Sequence, residues 1–290
     1  MTSLDPALNV VLAGLLGLLV GSFLNVAIHR IPKMLELQWK EESLAFFASS
    51  RSDNLAQAHV TTDATFNLFM PRSHCPACGH QIKWYENIPV VSWALLRGSC
   101  SSCKASISFR YPLVELITGI LFAFCAWQWG LTLEAAAWCA FAAAVVTLTF
   151  IDWDTTLLPD NITLPLVWAG LAGAWFGITQ TSLADSVMGA MVGYLSLWSI
   201  YWLFKLATGK EGMGYGDFKL FAAMGAWFGW KALLPIILLA SIVGTVIGIA
   251  IKMNNRLREG GYVPFGPFLA LGGLTCLLLG PDTVLGWLNL

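Results

Sequence analysis

The sequence predicts an all-α membrane protein, a polytopic bundle of about eight helical spans that carries one small polar loop domain. Three observations predict it. The 290 residues are 57% apolar and only 11% charged, against roughly 25% charged in an ordinary soluble domain. Apolar runs recur that match the roughly 20 residues, at about 1.5 Å of rise each, needed to cross lipid. The basic residues are segregated by those runs: of 16 Lys and Arg, all but Lys231 fall on one side of the membrane. The positive-inside rule makes that side cytoplasmic.

The first span covers about residues 8–30. No basic segment precedes Leu8, and Arg30 and Lys33 follow the run, which fits a retained helix better than a cleaved signal. Asn25, His29 and Arg30 close it and read as side chains snorkelling to headgroups. Residues 31–110 are too polar to span and are interrupted by Pro32, Pro71, Pro76 and Pro89, so they read as one cytoplasmic domain. In its first half, Leu44, Phe46 and Phe47 either form an amphipathic face lying on the membrane or belong to loop. Residues 111–290 hold seven further spans, about 111–129, 133–151, 162–178, 186–205, 217–229, 232–253 and 264–280. Pro165 and Pro235 fall inside two of them and predict bends. Both termini then face outward, as do Asp5, Glu134, Asp185 and Asp282.

The second half of the loop carries Cys75-Pro-Ala-Cys78 and Cys100-Ser-Ser-Cys103, with 21 residues between the pairs. Two such pairs supply the four thiolates of a tetrahedral structural zinc site, and the metal lends folding energy to a segment with little core. A cytoplasmic setting argues against disulfides. Full coordination leaves no open position for zinc catalysis. His74 and His80 flank the first pair and read as neighbours outside the ligand set, while Cys125, Cys139 and Cys276 read as small apolar core residues.

Acidic residues are costly inside spans, so each one there is a functional candidate. Asp152 ends the third span at the cytoplasmic edge, and Asp217 begins the short sixth span on the same side. Two carboxylates brought together cannot both ionise, so the pair holds an acid and a base at once. That arrangement can activate water against a peptide carbonyl without a covalent intermediate. Gly214 and Gly216 would let a substrate backbone approach. Asp154 competes with Asp152 for the role; two residues on a helix are about 200° apart, so only one faces Asp217. The deeper Asp152 is preferred, with Asp154 placed in a polar turn. Asp160 reads as an N-cap. Glu115 is either ion-paired near Arg110 or a substrate contact, and Lys219 either snorkels or acts electrostatically. Gly212, Gly214 and Gly216 lack the preceding strand that a nucleotide loop requires.

Gly-Tyr-Gly-Asp at 214–217 resembles the GxGD motif of intramembrane aspartic proteases. Together with Gly-Ser-Phe-Leu-Asn-Val at 21–26, the two CxxC pairs, Arg-Tyr-Pro-Leu-Val-Glu at 110–115, Leu-Pro-Asp at 158–160 and Gly-Met-Gly-Tyr-Gly-Asp-Phe-Lys at 212–219, it makes the chain similar to the type IV prepilin peptidases. The resemblance covers nearly the whole chain. It implies a multi-pass enzyme of the bacterial inner membrane that cleaves short basic leaders from prepilins and type II secretion pseudopilins at the cytoplasmic face. It carries the catalytic pair over to Asp152 and Asp217, and implies N-methylation of the new amino terminus with S-adenosylmethionine. Only Arg97-Gly98, beside the second CxxC, hints at a methyl-donor site. Membrane lipid is the expected surround, nucleic acid is not an expected partner, and composition says nothing of oligomeric state. Two rival readings are a cation-coupled transporter with a zinc-stabilised regulatory loop, and a methyltransferase or assembly factor without hydrolysis. Both candidate aspartates sit at the membrane edge and not at the midplane, which weighs against transport.

Overall fold

The computed structural model describes residues 5–50, 66–253 and 263–287. Its helices are α1 (Pro6–Ser50), α2 (Val91–Leu95), α3 (Arg110–Trp129), α4 (Leu133–Thr155), α5 (Asp160–Trp175), α6 (Leu183–Thr208), α7 (Tyr215–Phe228), α8 (Leu233–Met253), α9 (Gly266–Leu279) and α10 (Pro281–Trp287). All but the short α2 and α10 fall on the eight expected spans. The chain divides into two compact units, one of Met1–Gly17 with Ile120–Leu290, the other Leu18–Gly119.

Among the described residues five helices are long and apolar enough to cross a membrane, or six if α9 and α10, bent by 106°, form one span. The remaining two, α5 and α7, have 16 and 14 residues. At about 1.5 Å per residue α7 reaches only some 21 Å, and it packs among α5, α6 and α9. Length is therefore a poor guide to burial here: α7 is the most enclosed helix of its unit, with Phe218, Leu220, Ala223, Met224 and Ala226 fully buried.

Small residues make that enclosure possible. A Cβ on Gly189 of α6 would collide with the Gly225 carbonyl of α7, and one on Gly225 with that of Gly189. The two backbones touch, as small-residue stripes allow between membrane helices. Across α9, Gly272 meets Ile236 of α8 and Gly273 meets Met224 of α7. The carbonyls that α7 leaves unpaired at its C-terminal end accept hydrogen bonds from Ser186 Oγ (to Ala226, 2.6 Å) and Thr181 Oγ1 (to Trp227, 2.8 Å).

Several expectations need correction. The first helix does not end near residue 30; it runs through Pro32 to Ser50. A proline removes one backbone donor, but Lys33–Lys40 and the residues after it are mostly good helix formers, so the helix resumes. Leu44, Phe46 and Phe47 lie on this helix and are exposed. Pro235 is no mid-span bend, because α8 starts at Leu233 and a first-turn N–H has no helical partner to lose. Arg30 does not snorkel: it is buried and donates to the carbonyls of Asn67 (2.8 Å) and Pro71. Asn25 likewise donates to the Tyr111 carbonyl at 3.1 Å. Glu115 is buried against the backbone face of Gly21 and accepts from the Val90 N–H at 2.8 Å, so it braces the loop.

Candidate active site and metal centre

Each CxxC pair of the loop folds into the same backbone turn. In the first, Cys75 N donates to the His80 carbonyl and Gly79 N to that of Cys75, both at 2.9 Å. In the second, Cys100 N donates to Ala105 at 2.8 Å and Lys104 N to Cys100 at 3.1 Å. The residue after each second cysteine takes a positive φ, 72° at Gly79 and 60° at Lys104. A short antiparallel bridge closes each turn, His74 with Gln81 and Ser99 with Ser106. The repeat brings Cys75, Cys78, Cys100 and Cys103 together, their sulfurs all within 4.8 Å of one another. Four converging thiols are a donor set suited to a metal ion. The N–H groups of Cys103 and Ser102 aim at Cys100 and hold its thiol down at about 6, favouring the thiolate a metal takes.

Neither flanking histidine joins the set. His74 Nδ1 lies 3.1 Å from the Arg72 carbonyl. His80 Nε2 lies 3.2 Å from Glu86, whose carboxylate also accepts from Lys83 N at 2.9 Å. With the Lys83 N–H as the main cause, then the Ser101 hydroxyl and His80, Glu86 is held down at about 2. It thereby ties a residue of the second turn to one of the first. Arg97 and Gly98 both have positive φ, and a Cβ at 98 would press on the Trp93 ring, so this dipeptide serves as the tight entry to the second turn.

In the helical unit, Asp152 and Asp217 are both buried, 4% and 7% exposed. Asp152 sits in the last full turn of α4, which ends in the left-handed Thr156 whose N–H returns to the Asp152 carbonyl. Asp217 sits in the first turn of α7, its N–H directed to the Gly214 carbonyl at 3.2 Å. The two carboxylates are near enough for their charges to interact. Leu158 lies between the segments that carry them: a Cβ on Gly216 would fall 2.5 Å from Leu158 Cβ, and one on Gly266 would fall 3.2 Å from Leu158 Cδ1 and 2.5 Å from Asp152 Oδ2. Asp217 Oδ1 is buried without a hydrogen-bond partner among the described residues.

Asp154 lies on the helix and not in a turn, since α4 continues to Thr155, but it is exposed where Asp152 is buried. Asp160 is not the N-cap, which is Pro159. Its carboxylate instead receives both bonds from Lys219 Nζ, at 2.6 and 2.7 Å, so the lysine is held by α5. Gly266 went unnoticed in the sequence; the Gly-Pro pair ahead of an apolar run marks a helix start, but nothing local shows that Asp152 fills the space beside it.

Two family profiles match the chain: the Bacterial Peptidase A24 N-terminal domain over residues 15–129 and the Type IV leader peptidase family over 139–249. A protein of Stutzerimonas stutzeri named prepilin leader peptidase/N-methyltransferase is 49% identical over 285 residues, 98% of this chain and 96% of its own. Proteins of the same name from Pseudomonas aeruginosa and Aeromonas salmonicida are 50% and 48% identical, covering 92% and 97% of this chain and 89% and 94% of theirs. The chain belongs to the type IV leader peptidase family. No solved structure matches it. Within this family frame, the N-terminal profile takes in the four-cysteine loop and the peptidase profile takes in both Asp152 and Asp217, while Gly266 lies beyond either.

Proposed function

We propose that the chain removes leaders from prepilins, and from type II secretion pseudopilins, by aspartic-protease chemistry at the cytoplasmic face of the inner membrane, and then N-methylates the new amino terminus. The observation that carries the peptidase half is the burial of two interacting carboxylates, Asp152 and Asp217, at the ends of two different helices. One carboxylate takes a proton from water as its oxygen adds to the scissile carbonyl. The other gives its proton to the developing oxyanion. Collapse of the tetrahedral species breaks the C–N bond and returns a proton to the leaving amine. Burial strengthens each of these interactions by excluding bulk water. Gly214 leaves room for the substrate backbone beside Asp217, whereas the space beside Gly216 is taken by Leu158, so that glycine serves close packing and not the substrate approach expected of it.

The four thiols of the loop would hold one structural zinc ion, consistent with four sulfurs gathered within 4.8 Å of one another, the number that structural zinc takes. S-adenosylmethionine would supply an electrophilic methyl group: as the N–CH3 bond to the new amine formed, the S–CH3 bond would break, releasing S-adenosylhomocysteine and one proton from the amine to solvent. A cation-coupled transporter gains no support from relatives that bear the name of a peptidase and methyltransferase. The charge asymmetry supports placing both termini in the periplasm and residues 31–110 in the cytoplasm. Detergent-solubilised protein incubated with a leader-bearing pilin should remove the leader, and with S-adenosylmethionine present the product mass should rise by one methyl group. Persistence of the intact precursor would refute the proposal.

A further inference from the structure

A cleft of about 630 Å³ opens beside the first cysteine turn, lined among others by Arg72, His80, Lys83, Trp84, Tyr85 and Asn87. Small-molecule sites span about 300–1,000 Å³, so its size suits a ligand of a few tens of atoms. Its walls are held by contacts within the loop itself. Ile82 N donates to the Ser73 carbonyl at 3.0 Å, His74 and Gln81 form a bridge, and Glu86 holds the turn that carries the aromatic pair by accepting from Lys83 N. Trp84 and Tyr85 meet edge to face at 5.7 Å, yet Trp84 remains 82% exposed. A tryptophan ring left in water by an otherwise braced turn has unused stacking surface. Among the described residues no carboxylate lines the cleft, while the cations Arg72 and Lys83 do.

Resting on the methyl-transfer reading above, we infer that this cleft is the methyl-donor site and that S-adenosylmethionine binds it. The donor has three recognisable parts, and the cleft has a group for each. Its carboxylate suits the guanidinium of Arg72 or the ammonium of Lys83, which form charge-assisted hydrogen bonds. Its adenine suits the exposed Trp84 face, since every base offers a π-surface to an aromatic side chain. Its sulfonium suits the aromatic pair, whose faces attract cations. Because one wall of the cleft belongs to the first cysteine turn, a metal held by the four thiols would keep the site in shape.

Isothermal titration of S-adenosylmethionine into the purified, metal-loaded full-length protein in detergent tests this, alongside Trp84→Ala and Arg72→Ala. A control variant is Leu95→Ser, at a residue 78% exposed and outside the cleft. Both cleft variants should weaken binding by about tenfold or more, with metal content unchanged, and the control should match wild type. Wild-type affinity in both metal-loaded cleft variants would overturn the site, even if the protein methylates. Weaker vesicle association of Trp84→Ala with unchanged donor affinity would overturn it too, making Trp84 a membrane anchor. If Trp84→Ala loses metal, Trp84→Phe decides: near-normal donor affinity supports stacking when Arg72→Ala is weakened, and normal affinity in Arg72→Ala refutes the site. Failure of wild type to bind the donor or to methylate, with leader cleavage intact, would instead refute the methyl-transfer reading itself.

Discussion

Among the described residues from 66 to 109 only Cys75, Pro89, Ser92 and Cys100 are buried, whereas in the 14 residues of α7 ten are. The loop buries too little of its apolar surface to hold itself together by packing. It relies on repeated backbone turns, on Glu86 reaching between them, and on four thiols placed for a metal. The bundle relies on helices that touch through glycine and on hydroxyls that satisfy the end of α7. The difference teaches that damage to one region should be read out differently from damage to the other: a metal and the fold should prove linked in the loop, whereas in the bundle fold and chemistry should prove separable.

The largest effect tests that separability. Asp152→Ala and Asp217→Ala should each lower leader cleavage by about a thousandfold or more, with insertion and metal content unchanged, measured by cleavage assay and metal analysis of the same preparations. Loss of metal in either variant would break the comparison. Next, Cys75→Ser should abolish tight metal binding and protease resistance of the loop, because structural zinc contributes roughly 10 kcal/mol or more to such folds. Methylation should fall well below cleavage. Equal loss of both activities would show that the bundle depends on the loop.

Gly225→Leu probes the bundle alone. A side chain there meets the Gly189 backbone, which cannot shift like a flexible side chain, so unfolding in detergent should come earlier by about 1–3 kcal/mol or more. Metal content should be unaffected. A smaller, pH-dependent effect distinguishes the loop. Glu86 is lowered from 4.5 to about 2 when folded, so its contribution is present above pH 4.5 and disappears as pH falls toward 2. The advantage of wild type over Glu86→Gln in protease resistance of the loop should close across that window. An advantage that persisted below it would assign the difference to shape and not to charge. The smallest effect is expected at Asp154→Ala, whose side chain is exposed, with cleavage within about threefold of wild type if only Asp152 faces Asp217.

Much of this was legible along the chain. Apolar runs placed every long helix because burial in lipid demands a local excess of apolar residues, and the paired CxxC spacing placed the thiol cluster because each turn is made by four consecutive residues and their immediate neighbours. The two aspartates stood out because a carboxylate inside an apolar run is expensive. What the tertiary structure decided concerns meetings between distant segments. Only packing could turn Asp152 inward and Asp154 outward, give Asp160 to Lys219 and not to its own helix N-terminus, set Arg30 against the Asn67 and Pro71 carbonyls, and bring Gly266 of α9 against a carboxylate of α4. Local sequence sets period and capping chemistry within a few residues, but the partner a side chain meets depends on how helices far apart in the chain approach, and that is a property of the whole packed arrangement.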